Sequence, residues 1–139
     1  MSKHSYKYPI LAKPSGITLD QHSLDVMSEA LILACALPIS FEKYNKTIGK
    51  KLQDRLDVVC RHHDEGKEHD LWQSACQADF DNYLSWHNKH ADSSFADYVK
   101  AEGAKVGENI RKAGVRHEIK TLISNKLGEN KVLQVAIAA

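Results

Sequence analysis

The stretch Leu52-Gln53-Asp54-Arg55-Leu56-Asp57-Val58-Val59-Cys60-Arg61-His62-His63-Asp64-Glu65-Gly66-Lys67 decides how this chain is read. Leu52, Leu56, Val59 and Cys60 recur at spacings of three and four, the pattern of one apolar helical face, and the same count next reaches His63. The spacing therefore predicts a helix from Lys50 to about Asp64 whose core-facing stripe ends on a histidine. Asp64 lies one step, about 100° of helix, further round. The two side chains can serve a common point only where the backbone begins to leave the helix, and Gly66 is placed to cap that end.

Outward from this segment the pattern stays helical. Pro14-Ser15-Gly16 is a turn signal, and Thr18 with Gln21 forms a T-x-x-Q capping box, so a helix should begin near Leu19. Leu24, Met27, Leu31 and Ala34 give it one apolar stripe until Leu37-Pro38 stops it, and His22 falls in its first turns. A more polar helix is expected from Ser40 to about Ile48, ended by Gly49. Beyond the central segment, Leu71, Trp72, Ala75, Cys76, Phe80, Tyr83 and Leu84 fit a helix from Glu68 to about Asn88, with a possible break at Asp79-Phe80-Asp81-Asn82. The region from Lys89 to Gly114 reads as loops around one short helix, Phe95 to Val106. Val115 to Leu127 and the apolar run Lys131 to Ala139 complete the pattern. No strand period, repeat or low-complexity segment occurs, so the expected architecture is all-α.

Composition limits what such a bundle does. Among 139 residues, 19 Lys and Arg face 18 Asp and Glu, and 42% are hydrophobic, which excludes wholesale disorder and fibrous structure. A chain this long buries roughly two-thirds of its unfolded surface, so no metal is needed merely to fold it. The three cysteines, Cys35, Cys60 and Cys76, form no C-x-x-C pair and read as buried thiols in a reducing cytosol. No segment reaches the roughly 18 apolar residues of a membrane span, and the start lacks a signal peptide's apolar run. A cytoplasmic protein with no membrane partner is expected. The eight histidines are the compositional feature that points to chemistry.

Adjacent His and Asp at a buried helix end offer one nitrogen and one oxygen ligand, a mixture that suits manganese, iron, cobalt, nickel or zinc. A site needs more imidazoles, and His22 and His117 are the best placed by sequence. Lys67 could supply positive charge to a developing phosphorane without competing for the metal. Arg111, Lys112, Arg116 and Lys120 are candidate phosphate contacts near His117, the other reading being a solvated basic face. The near-zero net charge argues against tight nonspecific DNA binding by this chain alone. His62 is expected to point away from His63. His4, His69, His87 and His90 read as surface histidines, and Trp72 and Trp86 as core or rim packing.

His63-Asp64-Glu65-Gly66-Lys67 followed by Leu71-Trp72-Gln73 resembles the H-D-x-G-K motif and trailing aromatic-Gln of the HD nuclease of type I CRISPR interference. There it is a separate subunit or the front domain of a nuclease-helicase. Upstream, Leu11-Ala12-Lys13 and Leu19-Asp20-Gln21-His22 look like the family's opening, and downstream Arg116-His117-Glu118 resembles its R-H-E segment. The resemblance runs in order from about residue 11 to 124. It implies an HD-domain helical bundle and a metal-dependent nuclease acting on single-stranded DNA in antiviral defence. It also implies His22, His63, Asp64 and His117 as ligands, with Asp64 and Lys67 as the catalytic pair. The implied cofactor is a divalent ion (manganese, nickel, cobalt, iron or magnesium), and the implied partners are a CRISPR helicase or guide-RNA effector complex. Family members carry a further histidine pair and a last aspartate that this sequence lacks. The expectation is accordingly a single HD-type domain over residues 1–139 that forms the front part of a longer one. The competing readings are an HD phosphohydrolase acting on nucleotides and a non-catalytic HD module in an effector complex.

Overall fold

The computed structural model describes residues 6–49 and 52–116. Among these residues there are six α-helices, two 3-10 helices and, in place of any strand, one isolated β-bridge, so the all-α expectation holds. They gather into two units: residues 6–19 with 67–116, and residues 20–49 with 52–66.

The second of these units carries α1 (Leu19–Ala36, whose first residue lies in the other unit), α2 (Pro38–Ile48) and α3 (Leu52–His62). Pro38 both prevents α1 from continuing and starts α2, two residues earlier than predicted, because proline's fixed φ suits the first helical turn. Gly49 ends α2 in the left-handed region, at φ 68°, with its N–H donating to the Asn45 carbonyl. The Asn45 side chain in turn accepts from the Leu52 amide at 2.7 Å, tying the end of α2 to the start of α3. Helix α3 stops at His62 rather than Asp64, and the chain turns through His63 and Asp64 into a 3-10 helix, Glu65–Glu68. Gly66 is the second residue of that 3-10 helix and not the cap of α3.

The stripe expected to bury α1 does not do so. Leu24 and Leu31 are exposed, Met27 and Ala34 are half-buried, and Ile32, Leu33, Leu37 and Ile39 are exposed as well. From Leu31 onward α1 is apolar round its whole circumference, which leaves no single face distinguished for burial. Cys35, expected to be buried, is exposed for the same reason. Among the described residues no single helix is long and apolar enough to cross a membrane. Helices α1 and α2 pass that test only as a pair, bent by 92°.

The first unit is built on α4 (Asp70–His87), with α5 (Phe95–Glu102), a 3-10 turn (Gly103–Lys105) and α6 (Glu108–Ala113). Leu11, Trp72 and Cys76 form its core, joined by Phe80, Ile110 and Val115. Helix α4 runs unbroken through Asp79-Phe80-Asp81-Asn82, where a break was possible, because both carboxylates leave the helix for tertiary partners. Asp79, 2% exposed, accepts from the backbone N–H groups of Asn109 (3.1 Å) and Ile110 (3.0 Å) and from the Asn109 amide (2.8 Å). Asp81 accepts from Lys7 (2.7 Å) and the Tyr8 hydroxyl (2.5 Å), which holds its carboxyl below the ordinary range.

Helix α6 was read as loop. Its cap residue is Gly107, which has no side chain to satisfy the first amides, so the Asp79 carboxylate does this from α4. Helix α5 ends at Glu102, earlier than expected, and starts with a full capping box between Ser94 and Asp97. Of the segment Val115 to Leu127, residues 115 and 116 are not helical and the remainder lies outside the described residues, as does the run Lys131 to Ala139.

The N-terminal segment lies against α4. Leu11 and Thr18 face each other as a bridge held by Ala12 N–H to Ile17 (2.7 Å) and Leu19 N–H to Ile10 (2.9 Å). In that arrangement Leu11's own N–H and C=O point away from Thr18, and the Gln73 side chain takes both of them.

Candidate metal centre

His22 is the fourth residue of α1, one turn in, while His63 and Asp64 occupy the turn after α3. The end of α3 at His62 frees the two neighbours from the 100° offset that a continuing helix would impose. His63 keeps its amide on the ladder, donating to the Val59 carbonyl at 2.8 Å, and Asp64 follows off the axis.

One atom of each residue converges. His22 Nε2 lies 3.1 Å and His63 Nε2 3.2 Å from the same carboxylate oxygen, Asp64 Oδ2, and the two rings sit 5.3 Å apart, centre to centre. The three residues present ligand atoms within 4.8 Å of one another. Donors held about 2.1 Å from one ion at ordinary coordination angles stand roughly 3.0–3.4 Å apart, so both nitrogen–oxygen separations fit. Asp64 is only 5% exposed, and both imidazoles are half-buried.

The orientation of His63 argues for the same use. Its Nδ1 is 2.9 Å from the Cys60 carbonyl, a group that can only accept, so Nδ1 carries the proton. The lone pair of the neutral ring is then on Nε2, aimed at Asp64. A lone pair facing a carboxylate oxygen is unfavourable unless the ring gains a second proton or a cation lies between them. A backbone carbonyl holding the outer nitrogen of a ligand histidine is the usual way its tautomer is fixed. The C-terminal end of α3 adds a partial negative charge that favours either form of positive charge. His22, His63 and Asp64 can therefore hold a divalent metal ion. Cys60 contributes its carbonyl, and its sulfur is not among the converging ligand atoms.

The neighbouring candidates fall elsewhere. His62 turns aside, as expected, and pairs through Nδ1 with Glu65 at 2.5 Å. Lys67 belongs to the first unit, is buried, and places its amine 5.6 Å from the centre of the Trp72 ring, while Gln73 Nε2 donates to its carbonyl at 2.8 Å. His117 and Lys120 lie outside the described residues. Arg111, Lys112 and Arg116 are exposed at the end of the first unit. Three of the histidines read as surface groups have partners: His69 caps α4 by accepting from the Leu71 N–H, half-buried His87 contacts the Ser93 carbonyl, and exposed His90 contacts the Trp86 carbonyl. The contribution of the Cys60 carbonyl escaped the sequence reading, although its signal, a position three residues before the histidine on the same helix, is a local one.

Comparisons with protein-family models, with curated proteins and with solved structures gave no match.

Proposed function

We propose that this chain is a metal-dependent HD-type nuclease that degrades single-stranded DNA in CRISPR interference, with His22, His63 and Asp64 as its metal ligands. The observation that carries the reading is the convergence of two imidazole nitrogens on one buried carboxylate oxygen, with His63 already fixed in the ligand tautomer. The ordered motifs on either side supply the choice of nuclease. A bound divalent ion would polarise a phosphoryl oxygen and make an adjacent water nucleophilic near neutral pH. The chain's own residues then have distinct tasks. Cys60 aims His63 and Asp64 supplies the anionic ligand, while charge compensation by Lys67 and a further imidazole from His117 are what the motif resemblance implies. Manganese, nickel, cobalt, iron and magnesium are all compatible with two imidazoles and one carboxylate, and the strand would be delivered by a helicase or guide-RNA complex.

The test combines metal content with cutting of a labelled single strand. Wild-type protein should bind close to one equivalent of manganese or nickel and cut the strand, and His63→Ala and Asp64→Ala should lower metal affinity at least tenfold and abolish cutting. An unchanged cutting rate in both variants would refute the proposal. Release of phosphate from nucleotides with no strand degradation would move the activity to the phosphohydrolase reading.

A further inference from the structure

In the first unit α4, α5 and the 3-10 turn enclose a cavity of about 350 Å³ that neither the metal centre nor the core explains. Trp86 provides the accessible aromatic wall, backed by buried Tyr98 with ring centres 5.4 Å apart. The far side of Trp86 is supported by His90, stacked at 4.3 Å and 18°. Asn82 and Ser85 place an amide and a hydroxyl on the same wall, and Lys89 and Lys105 place two amines at the rim.

The two carboxylates at this rim are already compensated. Glu102 pairs with Lys105 at 3.1 Å, and Glu108 pairs with Lys112 at 2.6 Å, which holds the Glu108 carboxyl below the ordinary range. Lys89 therefore remains in excess locally. A shallow, open depression shares Lys105 and Glu108 with the cavity and continues past Arg111 and Lys112. The Arg111 guanidinium is braced by the carbonyls of Ala104 and Val106, which fixes its position without neutralising it. An aromatic cavity thus opens onto a short basic track, a combination suited to a flat base followed by phosphates.

We propose that this surface seats a nucleotide of single-stranded DNA, its base packed against Trp86 and its phosphates reached by Lys89 and, further along, Arg111. The choice of DNA rests on the nuclease reading above; the aromatic and basic geometry does not.

The experiment is a titration of the full chain against a fluorescein-labelled twelve-nucleotide oligothymidylate, read by anisotropy at low salt in EDTA, so that no metal is bound and no strand is cut. The wild-type chain should bind the oligonucleotide, and free thymidine monophosphate should compete. Trp86→Ala should weaken binding by about 5- to 150-fold, the range for loss of one base-stacking partner. Lys89→Glu, at an exposed position where folding is not at risk, should weaken binding and lower the salt slope by about 0.7 for each phosphate no longer neutralised. A purely structural role for these residues would leave that slope unchanged. No binding by the wild-type chain, or equal affinity in both variants, would overturn the proposal. Strand binding that survives while the chain neither holds manganese nor cuts would refute the nuclease reading and leave the nucleotide seat standing. Metal binding and cutting with unaltered strand affinity in the variants would refute the seat alone.

Discussion

Replacement of Gln73 should be the most damaging single change in the first unit. Its side-chain amide is fully buried and uses every polar atom it has: Oε1 accepts from the Leu11 N–H at 3.0 Å, and Nε2 donates to the Leu11 and Lys67 carbonyls, each at 2.8 Å. The bridge geometry turns Leu11's main-chain groups away from Thr18, so Gln73 serves as their strand-like partner. Gln73→Leu keeps the volume but strands one buried donor and removes a partner from two acceptors. At about 1–3 kcal/mol for each buried group left unmade, partly offset by the apolar side chain, the loss should be about 3 kcal/mol. Gln73→Glu separates polar from steric causes. One carboxylate oxygen can still accept from Leu11, but the other then faces two carbonyl oxygens, which favours the protonated form and raises the folded-state pKa above the unfolded value. The folded state then binds more protons than the unfolded one between those two values. Stability of Gln73→Glu relative to wild type should therefore rise as the pH falls from 7 towards the unfolded carboxyl value of about 4.3. Gln73→Leu should show no such recovery. Urea unfolding followed by tryptophan fluorescence suits the question, because Trp72 and Trp86 both belong to this unit. A loss below about 1 kcal/mol in Gln73→Leu, or parallel pH profiles for the two variants, would refute the argument.

Three further outcomes follow from the same unit. Gly16 has φ 89°, and an added Cβ would come within 2.7 Å of the Phe80 ring, so Gly16→Ala should lose about 2 kcal/mol or more in the same urea titration. Asp79→Ala removes the remote cap of α6 and should cost about 2–3 kcal/mol, with faster amide exchange at Asn109 and Ile110 as the local signature. Burial, with Asp79 nearby, pushes the Cys76 thiol up to about 12, so the folded state holds its proton while an unfolded thiol ionises near 9. Stability should then fall as the pH rises above about 9, Cys76 contributing up to about 1.4 kcal/mol per unit, a contribution that Cys76→Ala should subtract from the slope; in folded protein at pH 8, dithionitrobenzoate should react promptly with exposed Cys35 alone.

What could be read in advance follows from the range over which each residue finds its partner. The stop before Pro38 and the Gly49 terminator are set by neighbours within one turn, and these, with the start of α1 at Leu19, were legible. Helix α6 was missed because Gly107 gives no local cap, and the carboxylate that supplies one stands on α4. Gln73, Gln77 and Asp81 follow one another at intervals of four along α4, a spacing that reads as a solvated polar stripe. In the structure they hold the backbone and side chains of the N-terminal segment at Leu11, Tyr8 and Lys7. The error on α1 had the opposite origin. Leu24 and Leu31 both satisfied the periodic rule; from Leu31 onward the helix is apolar all round and no one face is distinguished for burial, whereas nothing in the structure explains the exposure of Leu24.

The metal centre divides along the same line. That His63 ends an apolar stripe and that Asp64 can join it only by leaving the helix were consequences of helical geometry, and α3 does end at His62. Its place in the first turns of a long helix made His22 one of the two best-placed histidines, but no spacing brings its ring to Asp64. Its recruitment depends on where the first turn of α1 lies when α3 ends, which is a tertiary fact. The resulting set is asymmetric: His63 has its outer nitrogen fixed by a main-chain carbonyl on its own helix, while His22 reaches the same oxygen from a separate element. The two histidines should therefore differ under substitution. His63→Gln removes a ligand already held in place and should lower manganese affinity more than His22→Gln, as measured by isothermal titration. Equal losses would show that positioning by Cys60 contributes nothing, and a smaller loss in His63→Gln would contradict the tautomer argument on which the centre was assigned.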